Sequence, residues 1–305
     1  MSKKSIGMLG WGLAMTMFLG PTLKLWAQGK LELKMALPLD GPEFIQPSGL
    51  VMAGKDLLMV AGDHDGSIFQ VTLQADKAVY KEWVTIKRPK DSETAKFAFR
   101  GIASDGKNNF FLISGAACRI LKVESGGHSE WTGPSLLDAG VEKGLFAGEN
   151  SGAEGILYLG PQKYLVAASR EPRGLLVVDL SRSKSTIKPI LMDNSKHPIP
   201  KGRHKPDFTD LANTDKNQLW ALESAADAIC LLKHNGDGFE VGEYWSYSHV
   251  TEDSKYRYKG LKMGLGRGIA LDSQYLYLVL DNKGVSREAD PVDKRPLLLV
   301  FTRPR

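Results

Sequence analysis

The chain has 305 residues, two cysteines, six histidines and a formal net charge of +5. That excess falls to about +2 once the three lysines of the leader are set aside, and the remaining basic residues are scattered, which argues against nucleic acid as a partner. After the leader, no run is long and apolar enough to cross a bilayer.

Residues 1–27 read as a secretory signal peptide. Lys3 and Lys4 precede an apolar stretch from Ile6 to Leu19, Pro21 breaks it, and Leu25-Trp26-Ala27 places a small residue before Gln28. The alternative is an uncleaved anchor, which the short apolar stretch disfavours. No cysteine lies near the cleavage point, so a lipid anchor is not expected. The mature chain, residues 28–305, is expected in the periplasm or secreted.

The mature part is repetitive. Pro47-Ser48-Gly49-Leu50, Phe99-Arg100-Gly101-Ile102, Ala153-Glu154-Gly155-Ile156, Thr209-Asp210-Leu211-Ala212 and Gly266-Arg267-Gly268-Ile269 recur at spacings of 52, 54, 56 and 57 residues. Each is followed by a polar turn and a short apolar run: Leu57–Val60, Phe110–Ile113, Tyr164–Ala167, Leu219–Leu222 or Leu276–Val279. In the first four units a third run follows, such as Arg119–Val123 or Ile229–Lys233. Short apolar runs bounded by Gly, Asp and Asn are strands. Repeated units of short antiparallel strands bury their faces by stacking around an axis. The expected fold is therefore all-β: a single β-propeller over residues 28–305, with five blades of four-stranded antiparallel sheet. The longer linkers leave room for a sixth, and a solenoid or sandwich is the competing architecture. Leu31–Leu37 and Leu297–Thr302 are the candidates for closing the ring. Cys118 and Cys230 fall in non-adjacent units on opposite sheet faces, which predicts two buried free thiols.

Glu154-Gly155-Ile156 followed by Tyr164–Ala167, and Asp210-Leu211-Ala212 followed by Leu219–Glu223, resemble the bacterial phytase-like (esterase-like) propellers and the related SdiA-regulated family. The resemblance implies an exported propeller and a calcium-dependent phosphoester or ester hydrolase. Ser and two Arg at the inner positions depart from the acidic cluster of that group.

In a closed ring the repeated polar positions converge at one mouth of the axis. The first set is Ser48, Arg100, Glu154, Asp210 and Arg267; the second is Asp63, Ser114, Ser169, Glu223 and Asp281. Glu154, Asp210, Glu223 and Asp281 are the expected calcium ligands, since calcium takes six to eight oxygens. Ser48, Arg100 and Arg267 would then hold an anionic ester. The competing reading pairs Arg100 with Glu154 and Asp210 with Arg267 as salt bridges that close the channel.

Asp63-His64-Asp65-Gly66 has the start of a calcium loop but reads as a tight turn. The histidines show no metal spacing, and Lys201–Lys205 reads as a solvated loop. Tyr244, Trp245 and Tyr247 lie in what reads as a long connection at the mouth, where they would stack on a sugar or pack as a plug. The sequence thus supports a metal-dependent hydrolase acting on a small anionic molecule, or a non-catalytic envelope module binding a small ligand, a glycan or a protein. A purely structural ring with internally paired charges is the third reading.

Overall fold

The computed structural model describes residues 28–62, 66–90, 97–147, 152–169, 172–193, 197, 206–214, 218–236, 238–262 and 265–304. Residues 1–27, expected to be the leader, Asp63 to Asp65 and the basic run at 201–205 lie outside the described residues.

The chain opens with β1 (Gln28–Lys30) and β2 (Leu33–Asp40). A four-stranded antiparallel sheet follows: β3 (Pro47–Ala53), β4 (Asp56–Ala61), β5 (Ser67–Leu73) and β6 (Ala78–Thr85). The next is β7 (Phe99–Ser104), β8 (Asn109–Ser114), β9 (Arg119–Glu124) and β10 (Ser129–Thr132), trailed by the short helix α1 (Leu137–Glu142). Then come β11 (Ala153–Gly160), β12 (Lys163–Ala168), β13 (Gly174–Asp179) and β14 (Thr186–Leu191). After these stand β15 (Asp210–Asn213), β16 (Leu219–Glu223), β17 (Ala228–Asn235) and β18 (Gly238–Ser246), followed by α2 (Ser248–Thr251). The chain ends with β19 (Gly266–Leu271), β20 (Tyr275–Leu280) and β21 (Leu297–Thr302).

Period-2 alternation explains how the sheets stack, because successive side chains leave a strand on opposite faces. In β4, Leu58 and Val60 join Ile102 and Leu112 in one apolar cluster, while Met59 and Ala61 join Val279 and Val300 in another. In β8, Phe111 and Ile113 meet Ile156 and Val166. Leu165 and Ala167 of β12 meet Ala221 and Cys230, and Trp220 and Leu222 of β16 meet Ile269 and Leu278. Each sheet thus buries both faces against its neighbours, and the series returns to its start: a propeller.

The first strands line the axis. Gly49 approaches Gly101 so closely that an added Cβ would lie 2.7 Å from the Gly101 Cα, and at Gly155 it would lie 2.4 Å from the Asp210 Cα. At Gly268 it would lie 2.6 Å from the Leu50 nitrogen, which closes the circle. The Gly following the repeated polar residue is therefore a packing requirement of the axis.

The two chain ends pair. β2 runs antiparallel to β21 from Leu33↔Phe301 to Pro38↔Leu297. The same N-terminal segment does more: β1 lies parallel to β18, and Leu39 and Asp40 lie parallel to Ala78 and Val79 of β6. It acts as a strap across three sheets. The last of these contacts merges β19–β20–β21–β2 and β6–β5–β4–β3 into one eight-stranded sheet.

Cys118 and Cys230 are both free and buried. Burial pushes the Cys118 thiol up to about 11. Among the described residues no helix is long and apolar enough to cross a membrane.

Candidate functional site

The inner strands deliver the first polar set to one end of the axis, and a recurring irregularity decides how each side chain leaves. The β3–β4 register slips between Pro47 and Gly49, the β7–β8 register between Phe99 and Gly101, the β11–β12 register between Ala153 and Ile156, and the β19–β20 register between Gly266 and Gly268. These β-bulges fall on Ser48, Arg100, Glu154 with Gly155, and Arg267. A bulge bends its strand and re-aims a side chain. Arg100 is exposed, and Glu154 and Arg267 are half-buried. Ser48 is short, stays buried and donates to the Val60 carbonyl at 3.2 Å.

In β15 Asp210 stands opposite Leu222 as Gly49 stands opposite Val60, Gly101 opposite Ile113 and Gly268 opposite Val279, so the sequence alignment of the repeats is off by one here. Asp210 takes the place of the axial glycine, and Thr209, whose N–H donates to the Leu222 carbonyl at 2.9 Å, takes that of Ser48, Arg100 and Arg267. At that glycine position the Asp210 side chain turns into the axis and is 0% exposed. Its Oδ2 accepts the Ile269 N–H at 2.9 Å. The Leu211 and Leu50 N–H groups also point at the carboxyl. Burial nevertheless pushes this acid well above the usual carboxylate range, outweighing the backbone donors, and the Glu154 charge adds to the rise. Oδ1 has no hydrogen-bond partner. Among the described residues Asp210 forms no ion pair with Arg267, so the salt-bridge expectation for that pair fails: backbone N–H groups took the place of the guanidinium.

The second set disperses. Ser114 donates to the Phe97 carbonyl at 2.6 Å, and Ser169 accepts the Gly152 N–H at 3.2 Å. Both tie the segment before an inner strand to the adjoining turn. Asp281 accepts the Lys283 N–H at 2.8 Å within its own turn.

Glu223 shares a face with Ala221 and so points away from Asp210, into the interface with the β11–β14 sheet. There it is fully buried in a network that sequence reasoning missed. Arg173 Nη1 donates to Glu223 Oε1, and His197 Nε2 meets Glu223 Oε2. The Tyr244 hydroxyl donates to Glu223 Oε1 at 2.9 Å, and the Cys230 thiol approaches the same oxygen at 3.7 Å. The Arg173 guanidinium lies 4.8 Å from the Phe208 ring centroid. No spacing in the sequence announces this network, since its members come from separate elements and meet only across an interface.

The aromatic expectation needs correction. Tyr244 and Trp245 belong to β18, the fourth strand of its sheet, and not to a loop. Tyr244 faces Glu223, and Trp245 packs on Trp220 at 4.9 Å between centroids. Tyr247 is completely buried, its hydroxyl 2.5 Å from where a Cβ on Gly266 would stand. Burial pushes that phenol well above its usual range, Asp227 and Asp207 add to the rise, and Arg267 opposes it. Apolar alternation through β18 continues past the point where the turn residues suggested a loop.

The expected calcium ligands do not assemble. Among the described residues no three His, Cys, Asp or Glu side chains gather as a metal site. Glu223 is taken by Arg173 and His197, Asp281 accepts an N–H within its own turn, and Asp210 Oδ2 accepts the Ile269 N–H. Calcium requires six to eight oxygens, and the described residues do not fit it.

No protein-family model matches the chain, and no curated protein matches it either. Solved structures are similar at a distance. Virginiamycin B lyase from Staphylococcus aureus shares 12% identity over 85% of this chain and 66% of its own, with a TM-score of 0.42. The PQQ-bound aldose sugar dehydrogenase from Streptomyces coelicolor shares 14% over 91% and 99%, with a TM-score of 0.48. A gluconolactonase from Xanthomonas campestris shares 8% over 89% and 99%, with a TM-score of 0.46. Likeness at this level transfers neither activity nor ligand.

Proposed function

We propose that residues 28–305 are one exported, five-bladed propeller that binds a small anionic molecule at the axial mouth, in the periplasm or outside the cell. The observation that carries this reading is the set of bulges that leaves Arg100 and Arg267 accessible on the strands either side of Ser48. Around the axis these arginines make one half cationic, while Glu154 and buried Asp210 make the other half acidic. Guanidinium groups suit phosphate and carboxylate, which accept their N–H groups in pairs.

A hydrolase of phosphoesters or carboxylic esters is the second reading. What favours it is the Asp210 carboxyl, biased towards its protonated form beside Glu154 and next to an anion clamp. Calcium has no support in this reading, for the reasons given above. Stacking of Tyr244, Trp245 and Tyr247 on a glycan has none either, because they face the protein interior or the outer strand.

Calorimetric titration with a phosphate monoester tests the proposal, with product release followed in parallel. The double variant Arg100→Ala/Arg267→Ala should weaken binding at least about tenfold. Unchanged binding in that variant rejects the mouth as the site. Turnover that depends on Asp210 would favour the hydrolase.

A further inference from the structure

Along the axis, beyond Asp210, lies a cavity of about 350 Å³ that no part of the anion reading uses. Its walls are residues of the five inner strands, with Thr214 just beyond β15. β3, β7, β11, β15 and β19 are each the terminal strand of their sheet on the inner side, so one edge of each has no partner strand. The Ile269 N–H and the Leu50 N–H both reach Asp210, which fixes the direction in which this edge points. Alternate residues of a strand present their backbone groups to the same side. Met52, Ser104, Tyr158, Asn213 and Leu271, two positions further on, therefore turn both N–H and C=O towards the axis, and all five line the cavity.

Such groups need partners, since an unpaired buried amide or carbonyl is costly. The chemistry of the partner follows from the lining. Among the described residues no charged side chain lines the cavity, which gives an anion or a cation no counter-charge there. Either ion would also satisfy only half of a wall in which donors and acceptors alternate. A hydroxyl both donates and accepts and so matches both halves. Ser104, Thr214 and Asn213, which carry hydroxyl and amide groups, line it at the strand ends, where Asn213 is exposed, while the Tyr158 ring stacks on Phe111. The volume is in the range of small-molecule sites.

We propose that this cavity is a second binding site, separate from the arginine mouth, for a small neutral polyhydroxy molecule of sugar or cyclitol type. The ligand enters from the end of the inner strands, opposite to Arg100 and Arg267. Its hydroxyls replace the water that otherwise pairs with the inner strand edges.

The test is amide chemical-shift titration of the full mature chain with glycerol, glucose and myo-inositol. The amides of Ser104, Tyr158, Asn213 and Leu271 should shift saturably with at least one of the three. Asn213→Trp and, separately, Ser104→Trp place a ring at the rim, and each should weaken that binding at least about tenfold while far-ultraviolet dichroism stays native. Arg100→Ala/Arg267→Ala should leave it unchanged, which separates this site from the anion site whatever becomes of the latter. The inference is overturned if none of the three polyols gives a saturable shift, since water alone then fills the axis. It is also overturned if both tryptophan variants fold and bind as the parent does, or if the arginine variant abolishes the binding.

Discussion

The Arg173–Glu223 pair joins two neighbouring sheets, and its removal should be among the most costly single changes in the molecule. The two side chains are 1% and 0% exposed. Among the described residues, Arg173→Met leaves buried Glu223 with only the Tyr244 hydroxyl, the Cys230 thiol and His197 as partners. Removing one member of a buried pair costs about 3–5 kcal/mol, because the other charge remains without compensation. The loss of the guanidinium over Phe208 adds to this. For a domain of this size the melting temperature should fall by roughly ten degrees. Urea unfolding of the parent, the single variant and Arg173→Met/Glu223→Leu measures the effect. The double variant should recover most of the loss, since an apolar pair needs no compensation. If Arg173→Met costs less than about 1 kcal/mol, the size typical of an exposed pair, the network does not hold the interface together.

Other outcomes follow from the axis. Because the native pKa of Asp210 is raised, its contribution to stability is complete below the unfolded value of about 3.9 and is lost as the pH rises through the native value. Asp210→Asn should therefore melt above the parent by a margin that widens from pH 4 to pH 8, and parallel melting curves would refute this. Gly155→Ala puts a methyl 2.4 Å from the Asp210 Cα, so the ring must open. It should cost at least about 3 kcal/mol by denaturant unfolding or abolish folding, and a neutral outcome would mean that the strands do not meet there. Since the described residues do not fit calcium, melting in EDTA and in millimolar calcium should coincide, and a clear rise with the ion would reinstate a metal site. Deep burial keeps Cys118 and Cys230 protonated, so neither should react with a thiol reagent at pH 8 until the chain unfolds.

Much of the architecture was legible before any coordinates. The five repeats and the alternation within Leu57–Val60 and its counterparts are local or periodic properties, and such properties survive in a linear string. The closing pair expected at Leu31–Leu37 and Leu297–Thr302 forms with Leu33–Pro38 opposite Leu297–Phe301. The parallel contacts of β1 with β18 and of Leu39–Asp40 with β6 were not legible, because short edge additions leave no pattern of their own.

The site divides along the same line. The sequence by itself determined that Ser48, Arg100, Glu154 and Arg267 occupy equivalent positions at the axis, because each stands immediately before the glycine of the repeat. Asp210, aligned with them in the sequence, stands instead in the place of that glycine. Which residue of each inner strand points into the axis was decided by tertiary structure. Arg100 and Arg267 stand before the axial glycine and Asp210 stands in its place, which separates accessible guanidinium groups from a buried acid. Alternation assigned Glu223 to a sheet face, but only the stacking of the next sheet supplied Arg173 opposite it. A strand pattern specifies direction within its own sheet, whereas the partner across an interface comes from a distant part of the chain and is set when the ring closes.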